Sequence, residues 1–197
     1  SLPDVRRAPD YLRQVRERTI ALLRTAGESD DALYFFRWAL MHEAMHHEAG
    51  LMIAQGQGWP LSHAAPAAAT TPRSGLEVAG GALAQGEDEG GFAFDNELGA
   101  HTVELADFTI DNAPVTWREL LPYFEAGGYD DAAHWSDAGW AWRQRSLPHG
   151  LPRHISRDDA FEHGIKRAIF GRWQALDLDA PALHLSAHEA HAWCRWA

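Results

Sequence analysis

The sequence predicts an α+β chain in two parts: a helical part over residues 1–58 and a loop-rich mixed domain over 76–197, joined by a linker over 59–75. Three observations carry this. The segment from Asp30 to Gly56 is apolar, holds no proline, and has Gly50 as its one internal glycine, so it reads as a single long helix. Residues 59–75, from Trp59-Pro60 to Ser74-Gly75, are rich in Ala, Pro and Thr, which is linker composition. Beyond Leu76, glycine clusters, short alternating runs and helix-start signals follow one another closely.

In the first part, residues 9–26 form an amphipathic pattern in which Tyr11, Val15, Thr19, Leu22 and Leu23 recur at helical spacing between arginines, with Gly27 as the stop. Ser29 or Asp30 can cap the next helix, and Asp30 and Asp31 suit the positive end of its dipole. That helix is expected to end near Gly56-Gln57-Gly58. The short connection predicts an antiparallel pair, and two helices make a poor core, so partner helices are expected from outside the sequence.

In the second part, His101–Leu105 and Phe108–Ile110 alternate like half-buried strands. Thr116-Trp117-Arg118-Glu119 is a capping box opening a short helix that Gly127-Gly128 ends. Residues 135–145, with Trp135, Trp140 and Trp142, read as an irregular, aromatic-pinned surface region. The segment 149–171 carries no clear pattern. Ser186-Ala187-His188-Glu189 is a second capping box, before a helix through Trp193 and Trp196. Asp95-Asn96-Glu97 reads as a turn held by Asx bonds.

Composition removes several function classes. The net charge of −11 disfavours nucleic acid and anionic membrane surfaces as partners. No apolar run reaches the roughly 18 residues of a membrane span, and no signal peptide is evident. The single cysteine, Cys194, has no partner for an internal disulfide and suits a reducing cytoplasm; as a small apolar residue it is expected to be buried. The chain lacks an initiator Met and stops inside a helical pattern, as a piece of a longer protein would.

The chemistry concentrates in Met41-His42-Glu43-Ala44-Met45-His46-His47-Glu48. His42 and His46 fall one turn apart on a stripe with Phe35, Trp38, Ala39, Ala49 and Ile53, so both imidazoles are expected to be buried and can converge on one metal ion. A hydrogen-bonded pair of core histidines is the plainer alternative. Glu48 follows His46 by two residues and points about 200° away, which suits a hydrogen bond to a neighbouring helix or to another ligand's second nitrogen. His47 points off that face. The same residues fit H-E-x-x-H, with Glu43 as a general base for zinc-dependent hydrolysis. The usual third ligands of that motif are missing: Ala49 and Met52 stand where a glycine and a histidine are wanted, and the linker occupies the place of a later glutamate. The remaining histidines, including His63, His154, His184, His188 and His191, lack ligand spacing and are expected in surface or capping roles.

Read together, these motifs resemble a known family. The helix bearing His42-x-x-x-His46-x-Glu48 resembles the DinB-like helical domain of ergothioneine sulfoxide synthases. The later motifs resemble the formylglycine-generating-enzyme-like (C-type-lectin-like) domain fused to it there. They are Phe94-Asp95-Asn96-Glu97, Phe108-Thr109-Ile110-Asp111, Pro114-Val115-Thr116, Gly127-Gly128-Tyr129, Trp135 through Trp142, and Leu185-Ser186 through Ala197. The resemblance implies an Fe(II) enzyme that uses O2 to join a thiol sulfur to the imidazole C2 of hercynine. A selenosugar is the donor in the closely similar selenoneine synthases. It implies His42 and His46 as two of three iron ligands, with the third histidine and a catalytic tyrosine outside this sequence. Met45 stands at a substrate-binding position that is glutamine in many sulfoxide synthases. Trp117 follows Pro-Val-Thr where asparagine is usual, and Arg153-His154 replaces a frequent aromatic pair.

Overall fold

In the computed structural model, residues 4–61, 72–88 and 90–197 are described; most of the predicted linker, with His63, lies outside them. The chain forms two compact units, one of Ser1–Gly50 with Gly80–Ala106 and one of Leu51–Ala79 with Asp107–Ala197. Helices and short antiparallel strands are mixed, as the α+β class requires.

The first unit contains α1 (Ala8–Leu23), most of α2 (Asp30–Gln57), and the hairpin of β2 (Gly81–Gln85) with β3 (His101–Leu105). Ser29 caps α2, its Oγ accepting from the Ala32 amide at 3.2 Å. Asp30 serves two donors, the Arg37 guanidinium at 2.5 Å and the Gly91 amide at 2.8 Å, and these hold its carboxyl below the ordinary carboxylate range. Tyr34 then meets Phe92, centroids 5.5 Å apart, and Phe92 meets Phe94. The glycine loop is thus tied to the first turns of α2.

Two expectations change here. α1 buries none of its residues and does not lie along α2 as an antiparallel partner. The histidine stripe of α2 is also open: Phe35 is 77% exposed, His46 is exposed and His42 is only half-buried. The physical reason is the one that made two helices a poor core; an apolar stripe is buried only where another apolar face meets it.

The second unit holds the larger core. The strands β1 (Gly75–Val78) and β4 (Phe108–Asp111) pair antiparallel, with Leu76 opposite Ile110 and Val78 opposite Phe108. Helices α3 (Trp117–Glu125), α4 (Asp137–Ser146) and α5 (Ala187–Trp196) pack with the antiparallel meander β5 (Ile155–Arg157), β6 (Ile165–Ile169) and β7 (Arg172–Ala175). The strands β3 and β4 form where alternation placed them but remain largely exposed rather than half-buried. Each pairs in a two-stranded ribbon, and no packed layer among the described residues covers it.

Both capping boxes form. Glu119 returns to the Thr116 amide at 2.8 Å, and Glu189 to the Ser186 amide at 2.7 Å. The first amides of α3 find main-chain acceptors as well: Trp117 donates to Ala180 and Arg118 to Leu178, which settles donors that a helix start otherwise leaves unpaired. The segment read as irregular at 135–145 is instead mostly helical. Ser136 caps it, accepting from Gly139 at 3.1 Å, and Trp140 and Trp142 lie one against Trp135 and the other against His188. The tryptophans obscured the helical period because more than one face of α4 carries an aromatic ring. The unassigned 149–171 segment supplies β5 and β6.

The core closes on Gly128. Its carbonyl accepts the buried Tyr123 hydroxyl at 2.7 Å and the Trp135 indole N–H at 3.0 Å. The Tyr123 ring is fully buried and lies so close that a Cβ on residue 128 would come within 1.8 Å of it. Tyr129 donates to the buried Glu189 carboxylate at 2.8 Å; burial, then that carboxylate, raise the phenol's pKa far above its ordinary value. Cys194, expected inside, is exposed on α5, because Ala192 takes the core-facing position two residues earlier.

Gly128→Ala is expected to lower stability by more than about 3 kcal/mol, the range of severe overpacking. Tyr129→Phe should cost about 1–3 kcal/mol by leaving a buried carboxylate short of a donor. Urea unfolding of each variant checks both, and a Gly128→Ala protein as stable as the parent would contradict the packing described.

Candidate functional site

The first candidate site is the histidine pair of α2. One helical turn brings His42 Nε2 and His46 Nε2 to 3.1 Å, with the rings near perpendicular at 85°. Trp38, one turn earlier, stacks on His42 with centroids 4.5 Å apart and planes within 19°. That face-to-face contact fixes the ring's rotation and leaves Nε2 directed at His46.

The geometry can be tested against a metal ion. With nitrogen–metal bonds near 2.1 Å, two cis ligands have nitrogens about 3.0 Å apart in octahedral and about 3.4 Å apart in tetrahedral geometry. The observed separation lies between these, so the pair fits as two ligands of one ion. Without an ion, the same distance suits a hydrogen bond between one protonated and one bare nitrogen. Among the described residues no group of three or more histidine, cysteine or carboxylate side chains could hold a metal. Met45, three residues after His42, is 52% exposed. Glu43, His47 and Glu48 are exposed, and Glu48 accepts no hydrogen bond among the described residues.

Asp95-Asn96-Glu97 forms a single 3-10 turn. It is held by Glu97, which accepts from the Phe94 amide at 2.8 Å, rather than by Asx bonds. Asn96 and Glu97 line a cavity of about 480 Å³ with His101 and Phe92.

The second unit has a larger cavity of about 820 Å³ that spacing gave no sign of. The last turns of α2 reach it. Gln55 is buried and its amide makes both strand-like bonds to the β6–β7 turn, donating to Ala168 O at 3.0 Å and accepting from Phe170 N at 2.8 Å. Gly58, at a φ of 66°, ends the helix, with its own amide returning to Gln55 and the Trp59 amide to Ala54. Gly171 packs directly on Gly58, where a Cβ would meet the Gly58 carbonyl oxygen at 2.2 Å.

Two histidines held apart in the sequence meet in this cavity wall. His154 and His184 have ring centroids 5.0 Å apart, and both adopt a φ of 64°. Burial depresses the pKa of each; Arg153 adds to the effect at His154, and His154 and Arg167 add to it at His184. The expectation of surface or capping roles holds for His184, which is exposed, while His154 is half-buried. Their thirty-residue separation carries no spacing signal, and only the meander's return brings them together.

A family profile for the sulfatase-modifying factor enzyme 1-like domain matches residues 61–197, and the chain belongs to that family. Among curated proteins, the chain is 33% identical over 201 residues to the hercynine oxygenase of Mycolicibacterium smegmatis, covering 95% of the chain and 44% of that protein. It is 32% identical over 198 residues to the hercynine oxygenase of Mycobacterium tuberculosis, covering 97% and 45%. The formylglycine-generating enzyme of Streptomyces coelicolor is 29% identical over 154 residues, covering 70% and 48%. The chain therefore spans less than half the length of these relatives. No helix among the described residues is long and apolar enough to cross a membrane.

The histidine pair in the cavity wall predicts a pH dependence. A base with a depressed folded pKa stabilises the fold in its neutral form, so stability is full above the unfolded value near 6.5 and falls as pH drops toward the folded pKa. His154→Gln should flatten the loss between about pH 7 and pH 5. Urea midpoints across that range measure it, and an unchanged slope would rule out this pair as its source.

Proposed function

We propose that this chain is part of an oxygen-dependent nonheme iron(II) oxidoreductase that forms a C–S or C–Se bond at the imidazole C2 of hercynine. His42 and His46 serve as two iron ligands. The observation that carries the metal assignment is the convergence of their Nε2 atoms at 3.1 Å on one helix face. Likeness to two proteins named hercynine oxygenase along nearly the whole chain supports the substrate class.

For a thiol donor the reaction balances as follows. The C2–H and S–H bonds break, a C–S bond forms, one oxygen atom of O2 ends on sulfur, and the other leaves as water with both hydrogens. A third ligand completes the set from beyond the pair. When bound, iron supplies redox chemistry and open coordination positions for the two substrates. The protein's part is orientation. Trp38 locks His42, the helix spaces His46, and Met45 presents an apolar surface to the betaine one residue before His46. Glu48, on the far side of α2, is assigned a hydrogen bond to a neighbouring helix or ligand. Residues 1–58 are assigned to a DinB-like helical domain, 59–75 to a linker and 76–197 to the formylglycine-generating-enzyme-like domain, in a cytoplasmic protein.

The deciding experiment is anaerobic reconstitution of the intact protein with Fe(II), then hercynine and O2 with γ-glutamylcysteine, cysteine or a selenosugar, read by mass spectrometry. One donor is expected to give a coupled product. No product with any donor, with zinc bound one per chain, would sink the oxidative reading. His42→Ala and His46→Ala should each lower iron affinity by more than about tenfold and abolish coupling, whereas Glu43→Gln should leave coupling intact and would abolish a zinc-dependent hydrolysis. Met45→Ala should raise KM for hercynine about three- to tenfold with iron content unchanged, the scale of a small loss of apolar contact. Steady-state kinetics beside metal analysis separates these effects.

A further inference from the structure

The cavity of the second unit holds donors that the protein itself leaves unused. Trp117 is 2% exposed, yet its indole N–H meets no acceptor among the described residues. The Nε of Arg167 is likewise buried and unpaired, and its guanidinium makes no ion pair among the described residues. Each such orphan carries an uncompensated desolvation cost, and buried donors in folded proteins are paired in the large majority of cases. Both residues line the same cavity, whose volume lies in the range of small-molecule sites.

The charges on the wall set the sign of the ligand. Arg153 and Arg167 contribute two positive charges and Asp177 one negative, with His154 and His184 held toward their neutral forms. Asp177 is exposed, accepts from the Asp179 amide at 3.0 Å and acts on the Arg167 charge without forming an ion pair with it, so the wall keeps one net positive charge. The remaining wall is largely apolar, including Ile155, Ile169, Phe170 and Leu183.

We propose that this cavity binds a small organic carboxylate, with Arg167 as the ionic partner, the Trp117 indole N–H as a neutral donor, and the ligand's apolar body against Ile169, Phe170 and Leu183. The half-buried Arg167 guanidinium, whose Nε is shielded from solvent, and one neutral N–H match the two oxygens of a monoanion. A phosphate would bring two charges and a third oxygen to a wall with one net positive charge. Trp117 is committed to this arrangement by its position at the start of α3, and Arg167 by the middle of β6. The proposal stands on the second unit alone and does not depend on the iron assignment.

The test uses the intact protein labelled with 15N, in which Trp117→Phe assigns the Trp117 indole resonance. Hexanoate should shift that resonance saturably, while hexanamide and hexylamine, of the same length, should bind more than about tenfold more weakly, the scale of one lost charge-assisted hydrogen bond. Arg167→Met should weaken hexanoate by the same factor. Arg153→Gln, at an exposed position and so safe for folding, should weaken it about two- to threefold, as for a partly screened charge. Equal binding of hexylamine or hexanamide would overturn the proposal. So would an unmoved Trp117 resonance under saturating hexanoate, which would leave these donors unpaired, or undiminished affinity in an Arg167→Met protein that unfolds at the parent's midpoint.

Discussion

The second unit depends on the fit of the Tyr123 ring against the Cα of Gly128. A ring that close needs a residue without Cβ, and the same glycine's carbonyl then becomes the acceptor for two aromatic donors. Buried tyrosine and tryptophan are costly unless their polar ends find partners. Here one carbonyl satisfies both, so a dense aromatic cluster can be dry without leaving either group stranded. Tyr129, next in sequence, reaches the opposite side and settles on Glu189, which is simultaneously the return arm of the α5 capping box. Three residues, 128, 129 and 189, thereby fix the end of α3, the start of α5 and the seat of Trp135.

Much of this could be read from the sequence, and the readable parts share a cause. Capping boxes depend on residues three apart, and the Ser186–Glu189 and Thr116–Glu119 boxes both formed. The limits of α2 follow from Ser29 at one end and Gly58 at the other, again local chemistry. What escaped was set by contacts distant in sequence. The α4 helix was hidden because its tryptophans face more than one neighbour, which erases the simple stripe. The His154–His184 contact depends on a three-stranded meander whose middle strand, β6, carries lysine and arginine between its apolar residues. Burial failed as an expectation on α2 for the converse reason. Periodicity says which face is apolar, and only a packing partner decides whether that face is covered.

The two candidate sites differ in how their chemistry is prepared. His42 and His46 are spaced by helix geometry, which fixes both Cα positions regardless of packing, and the Trp38 stack removes much of the remaining rotational freedom of one ring. A pair prepared this way orders little more when it closes on an ion, so the second nitrogen adds affinity at small entropic cost. Exposure does not weaken that argument, since the pair's geometry is a property of one helix turn.

The cavity is prepared by the opposite means. Its donors stand where they do because the fold needs Trp117 at the head of α3 and Arg167 within a strand. Their N–H groups are desolvated by packing that serves the core. An unpaired donor in such a place has already lost much of its interaction with water, so an acceptor that arrives there regains a hydrogen bond against little further desolvation. That asymmetry favours a ligand with an anionic end and an apolar body: the head recovers what Arg167 and Trp117 lack, and the body covers Ile169, Phe170 and Leu183. A cation of the same length would add a third positive charge to a wall where Arg153 and Arg167 already outnumber the single carboxylate of Asp177. The discrimination therefore rests on the sign of the charge more than on the size of the cavity.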